Sequence, residues 1–208
     1  MAEDLKYPNA TLFVLMLAAE EVMGKNGLAS VLNQGGLSYL VGKYPPNNLE
    51  RQVPFSLYGK VQQAIEDFYG PRGSRAILIR VGRALFRYSL HEQSALLGFA
   101  SLALKALPMN ARMKLILGKI VDAGTKELSM PGEMSENNDS FVITRTACPC
   151  QFRERDAKMG PCDQVTIGTF QEALKWATGK NFKVTQTKSL NTGDSIDEFL
   201  VSKTPMDD

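Results

Sequence analysis

Apolar and polar positions along this chain follow two rhythms in succession. Over the first two thirds the apolar residues recur at helical spacing. "NATLFVLMLAAEEVMG" predicts a helix with Asn9 as its N-cap and Gly24 at its end. "NGLASVLNQGGLSYLVGKYPPNNLE" predicts one or two short helices before a Pro/Asn turn at 45–48. A further helix is expected in "SLYGKVQQAIEDFYG", then a turn at "GPRGS", with Ser74 capping the helix "RAILIRVGRALFRYSL". On that last helix Arg80, Arg83 and Arg87 form one stripe, while Ile77, Val81, Leu85 and Tyr88 share another side. Residues 92–107 are apolar almost all round and are expected at the centre of the core. In "NARMKLILGKIVDAGTKEL", Asn110 is the expected cap and Met113, Leu117, Ile120 and Val121 the inward face.

After the polar loop "MPGEMSENND" the rhythm shortens to two. "SFVITRT" and "NFKVTQTK" alternate as strands do. Between them "DQVTIGTFQEALKWATG" predicts a helix stopped by Gly179 at C′. "NTGD" is a turn, and "SIDEFLVS" returns as an antiparallel partner. The expected fold class is α+β, a helical layer packed on a small antiparallel sheet.

Composition changes this picture little; the distribution of charge changes it more. The 208 residues carry a formal net charge of +2. Between positions 71 and 119, however, Arg72, Arg75, Arg80, Arg83, Arg87, Lys105, Arg112, Lys114 and Lys119 face a single acid, Glu92. Such an excess either attracts an anionic ligand or surface, or is a solvated helix face. The most apolar run, "ALLGFASLALKAL", is too short to span a bilayer, so no transmembrane segment is expected. The opening "MAEDLKYPN" lacks an export pattern, and three cysteines are an odd number. Both point to a cytoplasmic protein in a reducing compartment, without a disulfide framework.

Most catalytic patterns are missing. "YGPRGSR" follows a helix and lacks the ending of a phosphate loop. His91, the single histidine, sits at a helix junction and is best read as a surface or capping residue, although one histidine suffices for axial ligation of a haem or tetrapyrrole. Glu66–Asp67 and Asp197–Glu198 are adjacent in sequence, which separates their side chains rather than converging them. The aromatic residues form no platform interleaved with basic ones, so no nucleic-acid partner is predicted.

The cysteines remain. Cys148, Cys150 and Cys162 fall within "TRTACPCQFRERDAKMGPCD". They are either ligands of a zinc ion completed by a carboxylate (Asp156, Asp163 or Asp197), by water or by a residue of a second subunit, or three buried thiols.

The order "CPC", "GPCDQVTIGTFQEALKWATGKNFKVTQTKS" and "NTGDSIDEFLV" resembles the vinyl-reductase-like (4-vinyl reductase) domain family, also called hydrocarbon-binding proteins. "RVGRALF" and "ALPMNARMKLILGKI" are similar to its helical part. The likeness covers residues 59–203, and residues 1–58 stand as an N-terminal helical extension. It implies an α+β fold shared with the ligand-binding domain of phenol sensors and with TRAPP tethering subunits, homodimers, and an internal apolar pocket. It also matches Cys162 to a zinc-ligating cysteine of the sensors, while Gln186, Ser189 and Asp197 stand where the other ligands would be.

Non-catalytic binding of a hydrophobic or amphiphilic molecule follows from that likeness, as sensor or carrier, with Phe86, Tyr88, Phe99, Phe141, Phe170 and Trp176 as candidate lining. Arg80, Arg83 and Arg87 are candidates to hold an anionic head group. The alternatives are an enzyme or accessory factor of tetrapyrrole metabolism, acting in vinyl reduction, and a dimeric scaffold.

Overall fold

The computed structural model describes residues 4–92 and 106–206. The expected core segment lies largely outside the described residues, as does Phe99. The architecture is α+β, as the two rhythms require.

Strand β1, Lys6–Pro8, leads directly into helix α1, Asn9–Gln34. The helix breaks at Gly24, where φ is +73°, a conformation open to glycine and strained for other residues. Asn9 caps nothing. Its amide instead donates to Asn48 Oδ1 and Gln52 Oε1, tying the helix start to the returning chain. That return forms β2, Arg51–Pro54, which pairs antiparallel with β1. Helix α2, Phe55–Glu92, contains the second break, at Gly70. "GPRGS" is therefore a kink between two helical halves rather than a loop: Pro71, which needs no amide hydrogen, starts the second half. Ser74 Oγ bonds back to Pro71 O instead of capping.

Helix α3, Met109–Glu127, follows Pro108, which occupies the N-cap position expected for Asn110. The polar loop after it holds a strand, β3, Gly132–Glu136. Strand β4 is Ser140–Arg145, helix α4 is Gln164–Thr178, and β5 is Phe182–Lys188. The last strand, β6, is Asp197–Pro205. Gly179 stops α4 in the left-handed conformation, as expected. The sheet runs β3-β4-β6-β5, antiparallel throughout.

Two apolar cores result. One joins α1 to α2 and includes Tyr7, Leu12, Leu15, Phe55, Val61 and Val81. The other seats α3, α4 and Phe86 of α2 on the sheet, around Phe141, Phe170, Phe182 and Phe199. Residues 4–58, expected as an extension, supply β1, α1 and β2 and share the first core with α2. Among the described residues no helix is long and apolar enough to cross a membrane.

Candidate functional site

Between the two cores lies a cavity of about 190 Å³. Its walls are Tyr7 ahead of α1, Val14 of α1, Tyr58, Gln62 and Leu85 of α2, Ile120 and Val121 of α3, Ile143 and Arg145 of β4, and Thr169 and Phe170 of α4. Most of these side chains are apolar. Tyr7 Oη donates to Met130 Sδ at 2.9 Å, joining two cavity walls 123 residues apart in sequence. Burial holds the Tyr7 and Tyr58 phenols well above the usual phenol range, so both stay protonated.

A buried polar cluster closes one end. Arg145 Nη2 donates to Asp163 Oδ2 at 2.6 Å and to Asp197 Oδ2 at 3.3 Å. The guanidinium also lies over the Phe199 ring, 4.9 Å from its centroid. Burial works against its charge, but the two carboxylates outweigh burial and raise its pKa. Asp163 has a second task as N-cap of α4, accepting from Thr166 N at 3.1 Å and Thr166 Oγ1 at 2.7 Å. Gln186 bridges the acids: it accepts from Asp163 N at 2.9 Å and donates to Asp197 Oδ1 at 3.0 Å. Desolvation raises the Asp197 carboxyl, against the lowering by Arg145. Behind the cluster, Glu66 of α2 accepts from Arg153 Nη2 and from Arg155 Nε, pinning the cysteine-bearing turns onto the helix.

The zinc expectation is corrected here. Cys148 and Cys150 are bonded to each other, and Cys162 is a separate buried thiol. Cys148, Cys150, Asp163 and Asp197 do bring their ligand atoms within 4.8 Å of one another, all buried. Arg145 already supplies the positive charge between the two carboxylates, and a second cation there would meet it in a medium that screens poorly. The expectation of unpaired cysteines fails for the same pair. Pro149 shapes a tight turn in which Cys148 and Cys150 face each other, so the bond closes a very short loop and is not a framework link.

The other expected residues scatter. Phe170 lines the cavity. Phe86 and Phe141 pack in the second core, and Tyr88 lies half-buried against the first. Trp176 is 45% exposed and stacks edge-on against Phe86. The arginine stripe faces away from the cavity. Arg80 is exposed, Arg83 donates to Gln171 Oε1 at 2.8 Å, and Arg87 pairs with Glu21 and Glu172. His91, with 85% of its side chain exposed, also lies off the cavity wall.

The fold and site now bear comparison with known proteins. No protein-family model and no curated protein sequence matches the chain. Solved structures do, among them several H-NOX domains. A doubly substituted H-NOX designated Tt superposes with a TM-score of 0.60 at 12% identity, over 97% of each chain. The Fe(II) unliganded form of an H-NOX mutant from K. algicida gives 0.60 at 11%, covering 95% of this chain and 96% of that one. An oxygen-binding H-NOX domain related to soluble guanylate cyclases, in its oxygen complex, gives 0.54 at 13%, covering 92% and 93%.

These figures establish a shared fold. They correct the likeness to the vinyl-reductase-like family: the H-NOX match takes in nearly the whole chain, including the first 58 residues that the other likeness left out. The cysteine and glycine spacings behind the vinyl-reductase likeness belong to a short buried turn and to the end of α4, positions set by local geometry. The cofactor expectation is corrected with it, since solved relatives of this fold are described by their heme, its distortion and its redox potential, and not by zinc.

Proposed function

We propose that this chain is a non-catalytic receptor module that binds a small, neutral, largely apolar molecule in the cavity between its two cores. The observation that carries this is the cavity itself: enclosed between the two cores, mostly apolar, and with its charged cluster already engaged in ion pairs. Among the described lining residues the hydroxyl–carboxylate pair, Thr166 with Asp163, is the N-cap of α4 with its carboxylate held by Arg145, and the lone histidine of the chain is off the lining.

The shared fold raises haem as the ligand, and the residues present do not fit it. Iron in proteins is held by histidine, thiolate, methionine or tyrosine. His91 points to solvent beside Glu92. At the cavity, Cys148 is in a disulfide, Met130 Sδ accepts from Tyr7 and Arg145, and the Tyr7 hydroxyl is engaged by that bond. Residues 93–105 contain no histidine, cysteine, methionine or tyrosine. The volume of about 190 Å³ also lies below the roughly 300–1,000 Å³ of ordinary cofactor and drug pockets.

Native mass spectrometry of freshly purified protein, with a haemin titration followed in the Soret region, tests this reading. A bound small molecule, or stabilisation by one from a panel of compounds below ten heavy atoms, is the expected result, with no stoichiometric Soret band. Uptake of one equivalent of haem would overturn it.

A further inference from the structure

We infer that the cavity selects for a hydroxyl or N–H group on its ligand, and that Gln62 is the acceptor that reads it. This rests on the cavity being the ligand site, as proposed above.

Gln62 lies one helical turn after Tyr58 on α2, and both line the cavity. It is only 2% exposed, and its side-chain oxygen has no hydrogen-bond partner. Buried carbonyl oxygens are nearly always satisfied, and one left alone is costly. A second unpaired polar atom, Arg145 Nε, belongs to another lining residue and is a donor. A hydroxyl offers complements to both kinds of atom. Much of the remaining wall is hydrocarbon, with Val14, Leu85, Ile120, Val121 and Ile143, and the hydroxyls of Thr166 and Thr169 beside it already bond to Asp163 and to backbone oxygens.

Charge and size narrow the class. The Arg145 charge is engaged by Asp163 and Asp197, so a buried anion would find no free cation beside it. Asp197, the carboxylate in excess, lies off the cavity wall and accepts from Gln186 and Leu190 N, so a buried cation would find no free carboxylate there. An apolar cavity of about 150 Å³ admits benzene. The 190 Å³ here therefore fits one six-membered ring with one or two further heavy atoms. The ligand class is a neutral ring-sized molecule with a single polar donor. Water is the rival occupant of the Gln62 position.

Benzyl alcohol and ethylbenzene have the same shape and differ in a hydroxyl against a methyl. Their affinities for the wild-type chain and for Gln62→Leu, measured by titration calorimetry, decide the matter. The wild type is expected to bind benzyl alcohol at least tenfold more tightly than ethylbenzene, because a site built to pair a polar group discriminates against the analogue lacking it. Gln62→Leu should abolish or reverse that preference, as should Gln62→Met if the leucine variant folds poorly. Equal wild-type affinities, or a preference that survives both substitutions, would overturn the role of Gln62 and leave the cavity reading standing. No binding of either compound to folded wild-type protein would overturn both.

Discussion

Gly82 of α2 and Gly168 of α4 meet backbone to backbone. A methyl group on Gly82 would lie 2.0 Å from Val165 O, and one on Gly168 would lie 2.1 Å from Ile79 O. The two helices cross at a distance that no side chain permits, and this crossing joins the first core to the second. Thr169 Oγ1, one residue on, donates to Gly82 O at 3.2 Å and fixes the angle.

Alanine at either glycine should therefore destabilise the fold by roughly 3 kcal/mol or more, since relief requires moving a helix and not a side chain. Gly73→Ala is the contrasting case. Its added methyl meets only Tyr69 Cβ, at 3.7 Å, and should be neutral or stabilising by up to about 1 kcal/mol. Chemical denaturation of the three variants checks both expectations.

Arg145→Met should cost about 3–5 kcal/mol, because it strands two buried carboxylates. The sign of its pH dependence follows from burial. Without the guanidinium, protonation relieves the stranded charges, so the deficit against wild type should shrink as pH falls toward roughly 4. The triple variant Arg145→Met, Asp163→Asn, Asp197→Asn should recover much of the loss. A deficit independent of pH would count against this account.

Reduction of the Cys148–Cys150 bond should lower the melting temperature only slightly. Chain entropy for so short a loop is worth roughly 1–2 kcal/mol. The released thiols would then face acceptors: Cys148 Sγ lies 3.5 Å from Asp163 Oδ2, and Cys150 Sγ 3.5 Å from Asp197 Oδ2. Differential alkylation with mass spectrometry, before and after a dithiol reductant, should label two cysteines in the reduced and unfolded chain beyond those labelled without reduction.

Cys162 should resist alkylation in the native state. Burial pushes its thiol up to about 11 from the ordinary 9.0, against the lowering by Arg153 and Arg155. The folded chain keeps this proton where the unfolded chain loses it. Its contribution to stability is therefore full below about pH 9 and declines toward pH 11, by on the order of 2 kcal/mol. Comparing wild type with Cys162→Ala across that window isolates the effect from the other groups that titrate there.

Much of the fold is legible in the sequence because its signals are local. The alternation in "SFVITRT" is the inside–outside pattern of β4, and Gly179 ends α4 where the periodicity stops. Strand β3 escapes because it is an edge strand, largely exposed, with no apolar alternation to detect. Strands β1 and β2 escape because they are three and four residues long and exist through pairing with each other. The site is less legible still. Asp163 and Asp197 stand out in the sequence only as completions of a zinc site, and Arg145 does not stand out at all, because a partner 52 residues away leaves no periodic trace. Gln62 has no signal whatever: an unpaired acceptor exists only once the surrounding walls are in place.

The hydrogen bond from Tyr7 to Met130 gives the cavity a particular logic. One wall comes from the first residues of the chain and the other from beyond three helices, α1 to α3, so the chamber exists only where the two have met. A molecule bound there as proposed would favour the attached N-terminal strand over the detached one, so its binding would stabilise the end of the chain farthest in sequence from Met130's wall.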